Sequence, residues 1–353
     1  MFVKICAKIV KPSKKLVLAM FSFFLFILIL STSCKKRNPK KTFTNFDGHT
    51  KTEYLQTAKR KLALKKIALG IVEFPKLKKF QVVRFSGKKL KIFLPLESEP
   101  LAYAQLFSTN ELVVETASEI IFSTGTGKVR IIKIASPFLK PFKFSLITAD
   151  NIAAISGNNL CLFDGRAWIL QRISIKGKIG DIALLKTRKS ARLLLAGEVG
   201  LAESDDFGRN FVFCSPKGNA YERFFCSPFE PIIFASGKNQ GFVFSKDNGE
   251  TWKKYKDPIA EKICDIAFLQ KDRALFLGTK GLYEFTPIKI LKLPINLPTH
   301  CKRLALTENS LYLLGSDGAV YCKNSKSNTF EKLDLKVVVR DIFTYYSKET
   351  TRK

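Results

Sequence analysis

The chain has 353 residues, more than the about 100–200 of a typical domain, although β-barrels and propellers run longer as one unit. Its hydrophobic share of 46%, with 31 phenylalanines, excludes intrinsic disorder for most of its length. Sixty lysines and arginines against 30 acids give a net charge of +30. No nucleic-acid recognition motif accompanies this charge, so we expect no nucleic-acid partner.

Residues 1–33 have the pattern of an export signal. Five lysines precede an apolar run over residues 16–30, and small polar residues follow it. A basic segment, a short apolar segment and small residues before a cut are the features of a secretory signal. The run is shorter than the ~20 residues that a membrane-spanning helix needs. We predict a signal peptide over 1–33 and a mature protein in the cell envelope, on its periplasmic or extracellular face.

The end of this signal, Leu30–Cys34 with the sequence LSTSC, resembles a bacterial lipobox. The resemblance implies a lipoprotein precursor that is cleaved before Cys34 and acylated on that cysteine. Ser31 occupies the place where the lipobox pattern prefers leucine. Cleavage after Ser33 by an ordinary signal peptidase and an uncleaved anchor therefore remain as alternatives.

Residues 34–79 form a predicted membrane-proximal tether. Between residues 35 and 91 the chain carries 18 lysines and arginines against three acids. A basic segment next to an anchor is attracted to anionic lipid head groups. A lysine-rich solvated surface is the alternative interpretation of the same charge. Within the tether, residues 53–68 have the pattern of a short basic helix.

The rest of the chain repeats with a period of about 40 residues. The stretch from Gly200 to Phe211, GLAESDDFGRNF, matches the stretch from Gly241 to Trp252, GFVFSKDNGETW. Weaker copies bring the total to seven between residues 82 and 323. Such a period, built from short apolar runs and glycine turns, is typical of the blades of a β-propeller. We predict an all-β propeller over residues 80–350 with four-stranded blades, seven in number, with six or eight as alternatives.

One repeat predicts its four strands directly. The runs at 262–269, 274–279, 281–285 and 289–293 are rich in β-branched and aromatic residues and are separated by charged, glycine or proline residues. The β-rich tail at 336–346 is predicted to complete a blade begun at the other end of the chain, which would close the ring and leave no exposed sheet edge there.

The second matched stretch, SKDNGETW, resembles the Asp-box or BNR repeat at every defined position, and SDDFGRNF is a degraded copy. Asp-boxes occur in β-propellers such as sialidases, sortilin-type receptors and photosystem assembly factors. An aspartate that accepts backbone N–H groups of its own turn, and a glycine that tolerates positive φ, close a hairpin locally. We interpret the boxes as structural rather than catalytic. Their residues are Ser204, Asp206, Gly208, Ser245, Asp247, Gly249, Thr251 and Trp252.

Catalytic signatures are missing from the sequence. The Arg-Ile-Pro segment of sialidases is absent, and His49 and His300 are the only histidines, too few for a three-histidine metal site. Asp181, Asp265 and Asp341 precede apolar runs at similar places in their repeats, which favours a repeated structural turn over a catalytic pair. We predict no catalytic residues, no metal and no cofactor, and leave open whether the protein is an enzyme.

Six cysteines follow Cys34, at positions 161, 214, 226, 264, 301 and 322. An exported chain permits disulfides, but the sequence does not choose among their connectivities, and buried free thiols are the alternative.

Two functions fit these features. The first is a non-catalytic, membrane-tethered scaffold that binds a protein partner or assists assembly of an envelope complex. The second is a carbohydrate-active propeller that binds or cleaves a glycan. The stretch 215–231, rich in phenylalanine and proline, is a candidate partner surface, with an ordinary connection between blades as the alternative.

Overall fold

The computed structural model of the protein describes twenty-eight strands. No helix among the described residues is long and apolar enough to cross a membrane. The residues described are 64–106, 111–124, 129–133, 143–148, 151–163, 166–186, 191–215, 219–229, 231–237, 241–255, 261–298, 300–325, 327 and 329–348. The predicted signal peptide, Cys34 and most of the predicted tether lie outside them.

The strands form seven antiparallel sheets of four strands each. They are β1 (Leu64–Phe74), β2 (Lys79–Ser86), β3 (Lys89–Leu96), β4 (Pro100–Leu106), β5 (Glu111–Thr116), β6 (Glu119–Thr124), β7 (Val129–Lys133), β8 (Lys143–Thr148), β9 (Asn151–Ser156), β10 (Asn159–Phe163), β11 (Trp168–Arg172), β12 (Ile179–Lys186), β13 (Ala191–Gly197), β14 (Gly200–Ser204), β15 (Val212–Phe213), β16 (Tyr221–Cys226), β17 (Ile233–Gly237), β18 (Phe242–Ser245), β19 (Lys253–Lys254), β20 (Ile263–Gln270), β21 (Arg273–Gly278), β22 (Leu282–Phe285), β23 (Ile290–Lys292), β24 (Cys301–Leu306), β25 (Ser310–Gly315), β26 (Val320–Asn324), β27 (Glu331–Lys332) and β28 (Val338–Lys348).

Each sheet is one blade of a seven-bladed propeller, as predicted. Blade 1 has the strand order β28-β1-β2-β3, and blades 2 to 7 take the remaining strands four at a time in chain order. The first strand in each blade's order contacts the corresponding strand of neighbouring blades, as β4 does with β8 and β24 with β28, so these strands line the central channel. The strands of blade 6 lie within a residue or two of the four predicted runs.

The ring closes through its two ends. β28, from the predicted closing tail, pairs along its length with β1 and forms the innermost strand of blade 1. This pairing joins the last described strand to the first described one, so the circle of blades has no gap. The predicted closing strand is confirmed.

The start of the propeller differs from the predicted boundary. The first described strand begins at Leu64, so residues 64–79 belong to blade 1 rather than to a tether, and residues 64–68 are strand rather than helix. The predicted helix was wrong there because Lys65 and Lys66 hide a run, Ile67–Val72, whose residues are all buried. A run buried on both faces belongs between two paired strands, here β28 and β2.

Much of the core lies between the blades. Blades 5 and 6, for example, share a cluster of buried phenylalanines in which neighbouring rings meet edge to face. Such ring pairs add to the free energy gained from area burial. This packing accounts for part of the phenylalanine content. The cluster includes Phe225, Phe234, Phe242, Phe244, Phe268, Phe276 and Phe285.

Candidate functional site at the channel mouth

The two faces of the propeller follow from its strand directions. In each antiparallel blade, the start of the innermost strand lies at the same face as the hairpin between the second and third strands. We call this the mouth face. The connection between the third and fourth strands lies at the opposite face. Both loops that resemble Asp-boxes make this second kind of connection, between β14 and β15 and between β18 and β19.

A charged residue follows a β-bulge at the start of most innermost strands. The bulge is seen as a register shift at the same place in the pairing of six blades. We call the residues after it in five consecutive blades the inner ring. From blade 4 through blade 7 to blade 1 they alternate in sign: Asp181, Arg223, Asp265, Arg303 and Asp341. Blade 2 has Ala102 at this position, and Lys143 takes it in the pairing of blade 3.

The aspartates of the inner ring join neighbouring blades. Asp181 Oδ2 accepts a hydrogen bond from the Phe224 N–H of blade 5 at 2.8 Å. In the same way Asp265 Oδ2 accepts from the Leu304 N–H of blade 7 at 3.0 Å. A carboxylate that accepts a backbone N–H forms a charge-assisted hydrogen bond, stronger than a neutral one. Each aspartate therefore links its own blade to the next one at the innermost strands.

The arginines continue the same chain of contacts. Arg223 Nη1 donates to the Cys264 carbonyl of blade 6 at 3.1 Å and lies 3.9 Å from Asp265 Oδ1. Arg303 Nε donates to Asp341 Oδ1 of blade 1 at 3.0 Å. Burial raises the pKa of Asp265, although both arginines oppose this. Burial lowers the pKa of Arg303, but Asp341 and Asp265 outweigh it and hold that pKa above its usual range.

Tyr103 extends the polar contacts one blade further. Its hydroxyl, on β4 of blade 2, donates to Asp341 Oδ2 at 3.0 Å, and its ring stacks on Phe343 with centroids 4.1 Å apart. Burial, and after it the charge of Asp341, raise the pKa of this phenol well above its usual value. The tyrosine is therefore a permanent donor to the aspartate at any physiological pH.

A cavity of about 470 Å³ opens above this ring. Its wall combines acids, guanidinium groups and apolar side chains from blades 1, 2, 4, 5 and 7. Such a mixed wall suits a ligand that both donates and accepts hydrogen bonds, such as a polypeptide segment or a sugar. The polar members of the wall are Glu99, Tyr103, Asp181, Arg223, Arg303, Arg340 and Asp341.

The junction between blades 2 and 3 contains a buried acid. Glu115 on β5 is 1% exposed, and neither of its carboxylate oxygens has a hydrogen-bond partner. It pairs across the sheet with Ala102, the blade 2 counterpart of the ring residues. Because burial disfavours the charged form, the pKa of Glu115 rises to about 8. The carboxyl is therefore largely protonated at neutral pH.

The three aspartates singled out from the sequence are equivalent by repeat, but they do not lie in turns. They occupy innermost strands, and the bulge before each one turns its side chain toward the next blade. Asp181 and Asp341 line the same cavity, whereas Asp265 is 8% exposed. Their oxygens are engaged by N–H, guanidinium or hydroxyl donors.

The loops at 204–211 and 245–252 share one hydrogen-bond pattern. In the second, Ser245 Oγ accepts from the Gly249 N–H at 2.8 Å, and Asp247 Oδ1 accepts from the Thr251 N–H at 2.9 Å. In the first loop, Ser204, Asp206 and Asn210 make the same bonds, with Asn210 in the place of Thr251. Both loops lie at the face opposite the cavity.

The glycines of these loops meet the preceding blade. Gly208 has φ of +82° and Gly249 of +87°, a region that favours glycine. A Cβ added at Gly249 would lie 2.8 Å from Leu194 Cδ1, on the second strand of blade 4. The loops therefore hold each blade against its neighbour, with no group turned toward the cavity.

The other sequence candidates do not form a site. Among the described residues no cluster of histidine, cysteine and acidic side chains could hold a metal ion. His300 lies in the loop before β24, with its carbonyl bound to Ser316, and His49 lies outside the described residues. The six described cysteines are free thiols, so the disulfide alternative is not realised among them.

The stretch 215–231 is not a single surface loop. It contains β16, the innermost strand of blade 5, with Tyr221 and Phe224 buried, so its aromatic content serves the core. The sequence does not reveal this strand, because Phe-rich strands and exposed aromatic loops look alike without a register. The partner surface stays a prediction. The stretch does supply Arg223 and Phe224 to the cavity wall.

Arg223, Arg303 and Tyr103 were missed from the sequence. One signal could have found the arginines: the ring residues recur at intervals of 42, 42, 38 and 38 residues from Asp181 to Asp341. The strings around them differ too much for motif matching, since GDIALL, ERFFC and KRLALT share only a charge before an apolar run.

Comparison with known proteins identifies the fold. No family model and no curated protein matches the chain. Apo AztD from Citrobacter koseri is similar in structure with a TM-score of 0.55 at 7% identity, covering 81% of this chain and 100% of that one. A second AztD structure gives 0.53 at 7% identity, covering 81% and 99%. YCF48 bound to D1 peptide gives 0.49 at 13% identity, covering 72% and 96%. At these identities the likeness concerns the fold alone: the chain is a seven-bladed β-propeller.

Proposed function

We propose that the protein is an exported, membrane-tethered and non-catalytic propeller that binds a segment of a protein partner at its channel mouth. The observation that carries this proposal is the set of contacts that the side chains of the inner ring make. Its carboxylates and guanidinium groups are engaged in contacts between blades, so they shape the cavity rather than stand ready as a free acid and base. A glycosidase needs two carboxyl groups that can exchange protons with its substrate.

The cavity wall supports a polypeptide ligand. It offers a donor at Arg340, an exposed acceptor at Glu99, and apolar surface at Leu101 and Phe224. An extended peptide presents alternating N–H and C=O groups together with side chains, and needs both kinds of polar partner. A volume of about 470 Å³ suits a few residues rather than a whole domain.

Membrane tethering in this proposal rests on the sequence. The apolar run before Cys34 and the basic residues after it fit a lipidated N-terminus held at a membrane. Mass spectrometry of the mature N-terminus tests this part. Acyl chains on Cys34, lost with Cys34→Ser, are the expected result, and an unmodified Cys34 overturns it.

The two Asp-box-like loops belong to the scaffold in this proposal. Their hydrogen bonds are internal, and their glycines pack on the preceding blade. We expect substitutions at Asp206 and Asp247 to change stability without changing partner binding.

The binding experiment compares two charge exchanges that leave the net charge unchanged. The first, Glu99→Lys with Arg340→Glu, reverses charges at the cavity. The second, Asp272→Lys with Lys246→Glu, does the same at the opposite face. Both proteins and the wild type are used to capture partners from detergent-solubilised membranes. We expect one specific protein with wild type and with the second exchange, and about tenfold less with the first, because a lost charged contact weakens binding by that order.

A carbohydrate-active propeller is the second candidate function. It is favoured by one observation, that Asp181 and Asp341 line the same cavity. Glycan-array binding without recovery of a specific protein would overturn the scaffold proposal. Glycan cleavage that is lost in Asp181→Asn, while the thermal midpoint stays unchanged, would establish the enzyme instead.

A further inference from the structure

One register position on the outermost strands divides the propeller into two halves. In blade 4 this position is Phe213, which pairs with Ala202 of the third strand. In every other blade it is the fourth-strand residue that pairs with the equivalent of Ala202. We call it the rim position. It is isoleucine, leucine or phenylalanine on four consecutive blades and lysine on the other three. From blade 1 to blade 7 the residues are Ile92, Ile131, Leu170, Phe213, Lys254, Lys292 and Lys332.

All seven side chains are exposed. The four apolar ones have relative exposures of 65%, 51%, 58% and 55% from blade 1 to blade 4. Single exposed apolar residues are common on soluble proteins, but a contiguous series usually marks an interaction site. Here the series follows one structural position around more than half of the rim, and we define the outermost strands of blades 1 to 4 as the apolar rim.

The fold does not require apolar residues at this position. Blades 4 and 5 have the same loop before the fourth strand, and a fourth strand of two residues in the same register. Blade 4 exposes Val212 and Phe213 where blade 5 exposes Lys253 and Lys254. Because lysine serves equally well in blade 5, packing within the blade does not explain the phenylalanine.

The apolar rim is also basic and without acids. The four outer strands β3, β7, β11 and β15 contain no aspartate or glutamate. Exposed lysine or arginine lies beside the apolar residue in two of them: Lys91 beside Ile92 and Arg130 beside Ile131. Further apolar side chains, Val129 and Ile169, are about half exposed next to the rim residues.

We propose that the apolar rim lies edge-on against an anionic lipid bilayer. The inference rests on the membrane tethering proposed above. Apolar side chains enter the boundary of head groups and acyl chains, while arginine and lysine beside them reach the lipid phosphates. The chain leads from the predicted anchor at Cys34 into β1 of blade 1, whose outermost strand, β3, belongs to the apolar rim.

The geometry of the ring predicts a graded contact. A flat surface that touches a seven-membered ring from the side reaches two adjacent blades, with their neighbours further away. The apolar rim has blades 2 and 3 at its centre. Ile131 and Leu170 therefore insert most deeply, Ile92 and Phe213 less, and the three lysine positions remain in water.

The experiment places one environment-sensitive fluorescent amino acid at each of the seven rim positions of the full chain. An N-terminal oligohistidine tag recruits each protein to vesicles that contain phosphatidylglycerol and a nickel-chelating lipid. Lipids brominated in the acyl chain then report insertion by quenching. We expect quenching at Ile131 and Leu170 at least about threefold above that at Lys292, with Ile92 and Phe213 intermediate, because burial in the interface is limited to the contacting blades.

Equal quenching at all seven positions, or stronger quenching at the lysines, overturns the proposal. It is also overturned if photo-crosslinking from Ile131 in native membranes yields one specific protein and no lipid. Flotation of the untagged chain with vesicles tests the tether by itself. The tag brings the chain to the vesicles whether or not the chain binds membranes by itself. The quenching experiment therefore tests insertion of the rim independently of the tether.

Discussion

At one register position of the innermost strands, blades 4 to 7 and blade 1 carry alternating charges, whereas blade 2 carries Ala102. In the first region each charge meets a donor or acceptor of the next blade. Beside Ala102 the buried acid, Glu115, meets none. Elsewhere the junction of blades 2 and 3 is apolar, with Val113, Phe122 and Ile152 packed together.

The difference shows that a repeated backbone position does not fix how blades are joined. Polar contacts specify one arrangement of neighbouring blades, because a shift would leave buried charges without partners. Apolar packing tolerates such shifts more readily. We expect the inner ring to hold its five blades in register, and the junction of blades 2 and 3 to respond to pH.

The largest loss in the free energy of unfolding is expected from Asp265→Ala. The substitution leaves the Leu304 N–H without its acceptor and removes the acid beside Arg223. Breaking one side of a buried charged contact costs roughly 3–5 kcal/mol of the free energy of unfolding. Chemical denaturation measures the loss. Asp265→Asn retains an acceptor for the N–H and should lose clearly less, and a loss below about 1 kcal/mol in the alanine variant would show that the ring does not hold the blades.

The second largest effect is a dependence of stability on pH at the junction of blades 2 and 3. Glu115 has a folded pKa of about 8, whereas an unfolded glutamate ionises near 4.3. The unfolded chain therefore loses its proton first as the pH rises. The free energy of unfolding falls between about pH 4.5 and 8, by about 3 kcal/mol at pH 7, and the loss is complete above 8.

Glu115→Gln removes this dependence because an amide does not ionise. We expect the variant to be more stable than the wild type by about 3 kcal/mol at pH 7 and equal to it near pH 4. Thermal unfolding at a series of pH values measures both curves. Parallel curves, with a constant offset, would mean that Glu115 is charged in the fold and has found a partner.

Much of the fold was predictable because a blade repeats its own signals. Apolar runs and glycine turns at a constant period predict seven blades, and the β-rich tail at 336–346 predicts the closing strand. The start of blade 1 was not predictable in the same way. Lys65 and Lys66 resemble the basic segment before them, and the buried run that follows becomes recognisable as strand only beside β28.

The candidate site was predictable in part. Asp181, Asp265 and Asp341 stood out because each precedes an isoleucine in its repeat. Their contacts were not predictable, since an inter-blade hydrogen bond depends on the bulge before each aspartate and on the angle between blades. Glu115 carried no signal, because a glutamate near the end of a strand is usually exposed.

A smaller loss of stability is expected at Tyr103, which contacts Asp341, the last residue of the inner ring. Tyr103→Phe removes the hydroxyl that donates to Asp341 at 3.0 Å and keeps the ring stacked on Phe343. One hydrogen bond to a charged group contributes about 1.5–3 kcal/mol, and here Arg303 still satisfies the other oxygen, so we expect the low end of that range. Denaturation of Tyr103→Phe in the Asp341→Asn background should show a smaller loss. An equal loss in both backgrounds would mean that the hydroxyl acts elsewhere.

The smallest effect is expected immediately beside the ring. Arg340 precedes Asp341 in the chain, but its side chain is 54% exposed and pairs with Glu73 at the surface. Exposed ion pairs contribute little, because water and salt screen them, so Arg340→Ala should cost no more than about 0.5 kcal/mol. The small loss should shrink further in 1 M salt, while the loss in Asp265→Ala persists. If Arg340→Ala were as costly as Asp265→Ala, charge near the channel in general, rather than the buried links between blades, would be holding the ring together.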